Sequence, residues 1–159
     1  MLSQVCERFL RYRELEPESR KLFWRALVLL PIVKILLRFC GFKRTRDYLE
    51  GDRSRQSRFD GNLSAAHDLI QRTTRMVRAA SELGIIRANC LQHSLTLWHL
   101  LQKQGIETNL RIGVRTSAGA FEAHAWVEYA GVVLNDTEDV HQRFAAFATD
   151  FSRGPWGKS

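Results

Sequence analysis

The hydrophobic pattern of the chain changes its period near Gly84, and this change constrains the fold more than any other feature. Before it, apolar residues such as Leu63, Ala66 and Ile70 recur at helical spacing, which predicts amphipathic helices. After one further helical run, apolar and polar residues alternate over 110–115, which is typical of a half-buried strand. Helices followed by antiparallel strands predict an α+β fold.

Proline, glycine and polar stretches mark the boundaries of the predicted elements. Pro31 is expected to end or kink an early helix, and Gly41 to stop the next one. Residues 44–60 are polar and contain Gly51, Asp52, Ser54 and Ser57, which predicts a linker or mobile loop. The predicted helices cover residues 2–10, 22–30, 32–39, 63–80 and 91–104, and the predicted strands cover 110–115, 123–129 and 132–134. We therefore expect a helical region with a basic linker over 1–60 and a core domain over 61–159.

Composition indicates an ordinary folded protein. The chain has 159 residues, of which 45% are hydrophobic, enough for one core with a helical appendage. Its cysteines, Cys6, Cys40 and Cys90, are too few and too scattered for a disulfide framework or a metal site. A reducing, cytoplasmic environment is therefore favoured, and no metal or cofactor is expected.

The positive charge is concentrated in the first half. Residues 1–80 hold 17 Lys and Arg against 9 Asp and Glu, a balance of +8, whereas residues 81–159 hold 7 against 8, a balance of −1. This asymmetry is typical of a solvated helical surface, or of a face that binds an acidic peptide, a partner protein or anionic lipid. No nucleic-acid motif accompanies the charge. The densest basic stretch consists of Lys43, Arg44, Arg46, Arg53, Arg55 and Arg58.

The most apolar stretch, residues 22–42, does not predict a membrane span. Arg25, Lys34 and Arg38 interrupt it, whereas a spanning helix needs about 20 largely uncharged residues. The first thirteen residues contain four charged side chains and no apolar core, so they do not resemble a signal peptide.

Cys90 is a candidate nucleophile because it precedes the helical run 91–101. A helix N-terminus presents free N–H groups and partial positive charge, which favour a thiolate. The same N–H groups can receive an oxyanion. A small buried cysteine at a helix start is the alternative interpretation.

His124 and Asp136 lie on strands joined by the turn Ala130-Gly131. Pairing about that turn places Ala125 opposite Asp136, so His124 and Asp136 become diagonal neighbours across the hairpin. An imidazole oriented by a carboxylate is what a Cys-His-Asp triad requires. Side chains considered as further candidates are the carboxylates Glu128 and Asp139, the oxyanion or orienting amides Asn89, Gln92 and Asn135, and the helix histidines His93 and His99, which were expected at the surface.

The segments around these residues resemble the leader peptidases of lasso-peptide biosynthesis, a family within the transglutaminase-like cysteine-protease superfamily. The resemblance covers residues 85–137 and is carried by the segments NCLQHSLTLW, LRIGVR, AHAWVE and GVVLND. It implies a transglutaminase-like or papain-like core with a helix packed on a small antiparallel sheet. It also implies Cys90 as nucleophile, His124 as general base and acid, and Asp136 as the group that orients the histidine.

The resemblance also implies partners. The substrate would be a precursor peptide made of a leader and a core, and a lasso cyclase would join the freed amine to a side-chain carboxylate. Because the first eighty residues read as helices, the chain resembles the form that works with a separate leader-recognition protein. Two alternatives stay open: a transglutaminase-type acyl-transferase with the same triad, and a non-catalytic helical adaptor.

Overall fold

The computed structural model describes residues 16–51, 59–83, 88–117 and 119–147. Within these ranges the chain forms three long helices, a sheet and one short helix. The elements in chain order are α1 (Pro17–Glu50), α2 (Leu63–Leu83), α3 (Cys90–Gln102), β1 (Asn109–Ser117), β2 (Ala120–Tyr129), β3 (Val132–Val133), α4 (Val140–Arg143) and β4 (Ala145–Ala146). The helix expected at 2–10 and the basic residues Arg53, Arg55 and Arg58 lie outside the described residues. The α+β prediction is confirmed.

Helix α1 is longer than the sequence predicted. Pro17 occupies its first turn, where a missing N–H costs nothing, but the helix also continues through Pro31. The backbone leaves helical geometry only at Gly41, with φ 76° and ψ 173°, and Thr45 Oγ1 donates to the Gly41 carbonyl at 2.7 Å. The helix then resumes to Glu50, so the prediction of an irregular stretch from residue 44 was wrong for 44–50.

Tertiary burial explains why this polar segment is helical. Thr45 is fully buried and Leu49 is 1% exposed, so the segment is held against the body of the protein despite its weak helical pattern. Nδ1 of His99 bonds to the Leu49 carbonyl at 2.7 Å and ties the end of α1 to α3. A polar sequence gave no sign of these two contacts.

Helix α1 is apolar on two sides. One side contributes Leu22, Ala26, Leu30 and Val33 to the core. The other side carries an outer stripe of large apolar residues that are 40–81% exposed: Trp24, Val28, Ile32, Ile35 and Phe39. This second side explains why the sequence reads as a nearly continuous apolar run.

Helices α2 and α3 complete the helical layer. Helix α2 buries one face, and α3 buries most of its length, including Leu95, Leu97 and Trp98, each 0% exposed. The same core includes Leu110 and Val127 from the sheet. Helix α3 is therefore enclosed by the other two helices on one side and by the sheet on the other. Within the described ranges, no helix is long and apolar enough to cross a membrane.

The sheet has the order β3-β2-β1-β4, and its described pairs are antiparallel. Ala130 and Gly131 both have positive φ, 49° and 84°, as a tight two-residue hairpin turn requires. Tyr129 pairs with Val132, and the Leu134 N–H bonds to the Val127 carbonyl at 2.9 Å. The register predicted from the sequence is confirmed.

The two faces of the sheet bury different residues. Strand alternation directs Val127 toward the helices, whereas Trp126 packs on the opposite face with Val140 and Phe144. Helix α4, which packs on this second face, and the edge strand β4 were not predicted. Helix α4 has four residues and strand β4 has two, and elements this short show no recognisable hydrophobic period.

Gly113 provides a test of this packing. It pairs with His124 on β2, and a Cβ at this position would lie 2.9 Å from the Trp126 ring and 3.0 Å from Phe144 Cβ. We expect Gly113→Ala to lower the free energy of unfolding by about 1–3 kcal/mol through overpacking, measured by urea unfolding. Thr116→Ala, at an exposed position of the same strand, is the control and should change stability little. Equal stability of both variants would contradict the packing on this face.

Candidate active site

The first turn of α3 is closed by a reciprocal capping box. Asn89 Oδ1 accepts from the Gln92 N–H at 2.9 Å, and Gln92 Oε1 accepts from the Asn89 N–H at 3.2 Å. These bonds satisfy two of the four N–H groups that a helix leaves without an intrahelical acceptor at its start. The Asn89 and Gln92 side chains thus fix where α3 begins and place Cys90 at its first position.

The other two N–H groups of this turn belong to Cys90 and Leu91. Neither bonds to a described residue. Both project from the positive end of the helix dipole, beside a cysteine whose side chain is partly exposed. Paired backbone donors beside a nucleophile are the usual construction of an oxyanion hole. The backbone of Cys90 and Leu91 therefore suits this role better than the three amide side chains singled out from the sequence.

Beyond the short strand β3, side chains supply the hydrogen-bond partners of backbone groups at the edge of β2. The Val127 N–H donates to Asn135 Oδ1 at 2.8 Å, and the Ala125 carbonyl accepts from Ser94 Oγ at 2.9 Å. Asn135 Nδ2 in turn donates to Ser94 Oγ at 2.8 Å. Asn135 thus has both amide atoms engaged and acts as an orienting group. Together these bonds fasten α3 to the edge of β2, one residue from His124.

His124 and Asp136 are brought together by this hairpin. His124 Nε2 forms a short hydrogen bond with Asp136 Oδ2, and both side chains are largely shielded, at 23% and 15% exposed. Asp136 follows Asn135 directly, so the amide that completes the strand edge also delivers the carboxylate to the ring. The diagonal pairing expected from the sequence is present.

This bond assigns the proton on the ring. An ionised carboxylate only accepts hydrogen bonds, so Nε2 carries the hydrogen and Nδ1 is the basic nitrogen in the neutral ring. Nδ1 makes no hydrogen bond to any described residue. The ring is therefore held by one nitrogen and keeps the other available for a proton.

Asp136 is stabilised as an anion. Burial by itself raises the pKa of the Asp136 carboxyl, but hydrogen bonds from the Thr137 N–H, His124 and Arg143 outweigh burial and hold that pKa below its ordinary value. The Thr137 N–H and Arg143 Nη2 both lie 2.7 Å from Oδ1. Arg143 was not foreseen from the sequence, because nothing in its local pattern links it to Asp136 seven residues earlier.

Aromatic rings hold the imidazole from its face. The Phe144 ring stacks on His124 with centroids 4.9 Å apart, and the Trp126 ring lies 6.2 Å away. Phe144 is itself 6% exposed, so it cannot move freely. The sequence analysis did not predict these two ring contacts. The signal available for the Trp126 contact was its position two residues from His124, which places both side chains on the same side of β2.

Cys90 makes no hydrogen bond with His124 in the described structure, so the complete triad stays a prediction. Ser94, one turn beyond Cys90 on the same side of α3, donates to the carbonyl of Ala125, the residue after His124, so this part of α3 lies at the edge of β2. Catalytic hydrogen bonds are often long in a substrate-free site and shorten when substrate binds.

The alternative carboxylates are engaged elsewhere. Glu128, 5% exposed, accepts from Trp126 Nε1 at 2.7 Å and from Arg111 Nε at 3.2 Å. Asp139 lies at the surface, paired with Arg143 at 3.2 Å. Among these three carboxylates, only that of Asp136 forms a hydrogen bond with His124, which favours Asp136 as its orienting partner.

The prediction that the two helix histidines, His93 and His99, lie at the surface was wrong. His93 has a buried Nε2 without a hydrogen-bond partner in the described structure, and His99 is bonded to the end of α1. Burial lowers the pKa of both side chains, with Arg78 contributing at His93. Both histidines therefore belong to the packing of α3.

Of the basic residues proposed for docking, the structure describes three. Lys43 and Arg44 are exposed on the last part of α1. Arg46 is only 6% exposed and is paired with Asp47, so it adds little to an exposed basic surface.

The side chain of Asn135 provides a test of how the site is assembled. Asn135→Ala removes the partners of Val127 and Ser94, and we expect a loss of about 1–3 kcal/mol in the free energy of unfolding because buried polar groups lose their bonds. Asn135→Asp keeps the acceptor for the Val127 N–H and loses only the donor to Ser94, so its loss should be smaller. Urea unfolding measures both effects.

The same variants should disturb His124. With Asn135→Ala, the His124 ring signals in NMR spectra should broaden or shift, since Asp136 is no longer held in place. Ring signals identical to those of the wild type would mean that Arg143 and Thr137 suffice to position Asp136.

Comparison with known proteins agrees with this architecture. The family model described as Transglut_core3, transglutaminase-like superfamily, matches residues 28–149. The Microcin J25-processing protein McjB of Escherichia coli is 32% identical over 80 residues, which cover 50% of this chain and 38% of that protein. The chain thus spans well under half of the length of this relative. No solved structure matches the chain significantly. Since the family model covers more than half of its residues, this chain belongs to the transglutaminase-like superfamily.

Proposed function

We propose that this chain is a cysteine endopeptidase that removes the leader from a ribosomally made lasso-peptide precursor. Cys90 is the nucleophile, His124 the general base and acid, and Asp136 the group that orients the histidine. The observation that carries the proposal is the His124–Asp136 bond through Nε2, which leaves Nδ1 as the basic nitrogen. The similarity to a microcin-processing protein supports a peptide substrate.

Acylation follows from this arrangement. His124 Nδ1 takes the proton of the Cys90 thiol, and the thiolate sulfur attacks the scissile carbonyl carbon. The carbonyl oxygen becomes an oxyanion, which the N–H groups of Cys90 and Leu91 stabilise at the positive end of α3. The imidazolium, supported by the Asp136 carboxylate, then donates its proton to the leaving amine. This releases the core peptide with a free amino terminus and leaves the leader as a thioester.

Deacylation reverses the proton path. Nδ1 of His124 accepts a proton from water, whose oxygen attacks the thioester carbonyl. The thiolate then leaves, and the leader departs with a new carboxylate. Phe144 and Trp126 hold the ring in one plane through both stages, because their centroids lie 4.9 and 6.2 Å from it.

Membership of the transglutaminase-like superfamily favours acyl transfer as the second candidate. The thioester would form in the same way, and an amine would replace water in the second step. The products separate the two functions, because hydrolysis leaves a carboxylate on the acyl fragment, whereas transfer joins that fragment to the attacking amine in a new amide. Mass spectrometry of the precursor peptide incubated with the chain distinguishes them.

A partner for leader recognition forms part of the proposal. The exposed Lys43 and Arg44 at the end of α1 supply a basic rim for a separate leader-recognition protein. Arg53, Arg55 and Arg58 follow them in the sequence and add positive charge. Rim charges act mainly on the association rate. The released core would pass to a lasso cyclase. A reducing cytoplasm would keep Cys90 as a thiol.

Substitution of the triad tests the reaction. Cys90→Ala should reduce precursor cleavage by about 10⁴-fold or more, and His124→Ala by a similar factor, because nucleophile and base act as a unit. Asp136→Asn should retain more activity, since an amide still contacts the ring although it favours the wrong tautomer. Cleavage is measured by mass spectrometry, and far-ultraviolet circular dichroism checks the fold.

Two results would contradict the assignment. Cleavage by Cys90→Ala near the wild-type rate would exclude Cys90 as the nucleophile. A greater loss in Glu128→Gln or Asp139→Asn than in Asp136→Asn would assign the carboxylate elsewhere.

Charge reversal tests the partner surface. Lys43→Glu combined with Arg44→Glu should slow association with the leader-recognition protein, and the loss should shrink as salt screens the charges. Arg75→Glu, exposed on α2, is the matched control and should change the rate little. Association is followed by surface plasmon resonance at two salt concentrations.

The prediction requires that the association rate fall in the double variant and not in the control. An association rate unchanged in the double variant, or reduced equally by Arg75→Glu, would leave these basic residues without a role in docking. Reactivity of Cys90 toward iodoacetamide should stay the same in all three proteins.

A further inference from the structure

A groove runs beside the first turn of α3, between this turn and the middle of α1. Its volume is about 710 Å³, within the range of pockets that bind small molecules or peptide segments. Its walls are mostly apolar, with a basic rim from α1. The lining residues are Lys34, Ile35, Leu37, Arg38, Phe39, Phe42, Asn89, Leu91 and Gln92.

The groove adjoins Cys90 along the chain, although Cys90 itself is not one of its lining residues. Asn89 and Leu91, the chain neighbours of Cys90 on either side, both line it. A peptide whose carbonyl carbon lies at Cys90 must extend past this turn, because an extended chain advances about 3.3 Å per residue. The groove therefore lies within reach of the residues that adjoin a scissile bond.

Gln92 adds a hydrogen-bond donor to the wall. The residue is 7% exposed, and its Oε1 is occupied by the Asn89 N–H. Its Nε2 has no hydrogen bond to any described residue and is available to donate one. A backbone carbonyl of an extended peptide in the groove would complete this bond.

The outer stripe of α1 supplies the apolar contact. Ile35 and Phe39 are 56% and 81% exposed, and no described element covers them on the groove side. Lys34 and Arg38 stand one turn apart on the rim, are exposed, and form no ion pair in the described structure. The groove is lined by two cations and no carboxylate, so its charge complements an acidic side chain.

We propose that this groove is the specificity subsite of the peptidase, which binds an apolar side chain of the precursor, flanked by an acidic one, next to the scissile bond. The inference rests on the proposed function, since it places the substrate relative to Cys90. The apolar side chain packs on Ile35, Phe39 and Leu91. The acidic side chain faces Lys34 and Arg38, and Gln92 Nε2 holds the peptide backbone.

The test uses alkylation of Cys90 by N-acetyl tripeptide chloromethyl ketones, in which the thiolate sulfur displaces chloride from the reagent. A leucine occupies the first, second or third position from the reactive carbon, and glycine occupies the others. We expect leucine at one position to raise the alkylation rate constant about tenfold or more over the all-glycine reagent, as an apolar pocket discriminates by this order. A glutamate beside that leucine should raise it further.

Variants assign the preference to the groove. Ile35→Ala and Phe39→Ala should each remove most of the leucine preference, and Arg38→Glu should remove the glutamate preference. Ile32→Ala is the matched control, since Ile32 lies on the same stripe but lines a different cavity with Trp24 and His99. A leucine preference that is absent, that survives in Ile35→Ala and Phe39→Ala, or that Ile32→Ala removes equally would overturn the proposal.

Two measurements separate failure of the subsite from failure of the proposed function. Iodoacetamide, which has no side chain to bind, should modify Cys90 faster than the exposed Cys40 in every variant. Equal rates would contradict only the assignment of Cys90 as the nucleophile, not the subsite. Binding of the non-reactive N-acetyl-Glu-Leu-Gly amide to Cys90→Ala, followed by methyl NMR signals of Ile35 and Leu91, needs no catalysis. No shift of these signals up to millimolar peptide would overturn the subsite whether or not the chain is a peptidase.

Discussion

The hydrogen bonds of Ser94 and Asn135 along the edge of β2 join the helical layer to the sheet, and the site depends on them. Strand β3 is only two residues long, so β2 would otherwise expose unpaired backbone groups at this edge, which costs free energy when buried. Ser94 Oγ and Asn135 Oδ1 satisfy the Ala125 carbonyl and the Val127 N–H, and they bond to each other. One network therefore sets the position of α3, the path of the chain after β3 and the location of Asp136.

The candidate triad combines three kinds of structural support. The capping box at Asn89 and Gln92 fixes the start of α3, so the cysteine sits where two backbone N–H groups remain available. The pairing of β1 with β2 fixes His124 opposite Gly113, and the absence of a side chain at Gly113 leaves room for Phe144 to stack on the imidazole. The Asp136 carboxylate is held from behind by Thr137 and Arg143. Each group is positioned by contacts outside the three residues themselves.

Helix α1 connects this site to the rest of the molecule. Its inner side completes the core around α2 and α3, whereas its outer stripe and basic residues border the first turn of α3. The break at Gly41 lets Phe42 line the groove while the following turn packs Leu49 against the core. Recognition of a peptide and support of the fold can thus reside on opposite sides of one helix.

The sequence by itself determined the elements whose patterns are local. Alternation predicted β1 and β2, the Ala130-Gly131 turn predicted the hairpin register, and that register predicted the approach of His124 and Asp136, because a two-residue turn leaves few pairings. The helix over 63–80 and the start of α3 within one residue of Cys90 followed from helical periodicity. The resemblance to leader peptidases agreed with the superfamily that the comparisons identified.

Only the tertiary structure decided the features that depend on distant contacts. Residues 44–50 are helical because Leu49 is buried and bonded to His99, although their sequence is polar. Arg143 and Phe144 join the site because α4 folds over the second face of the sheet, and four residues are too short for a recognisable period. The roles of Asn89, Gln92 and Asn135 were open in the sequence, since an amide side chain can cap, orient or bind an oxyanion. The fold gives Asn89 and Gln92 capping bonds and gives Asn135 bonds to the edge of β2 and to Ser94.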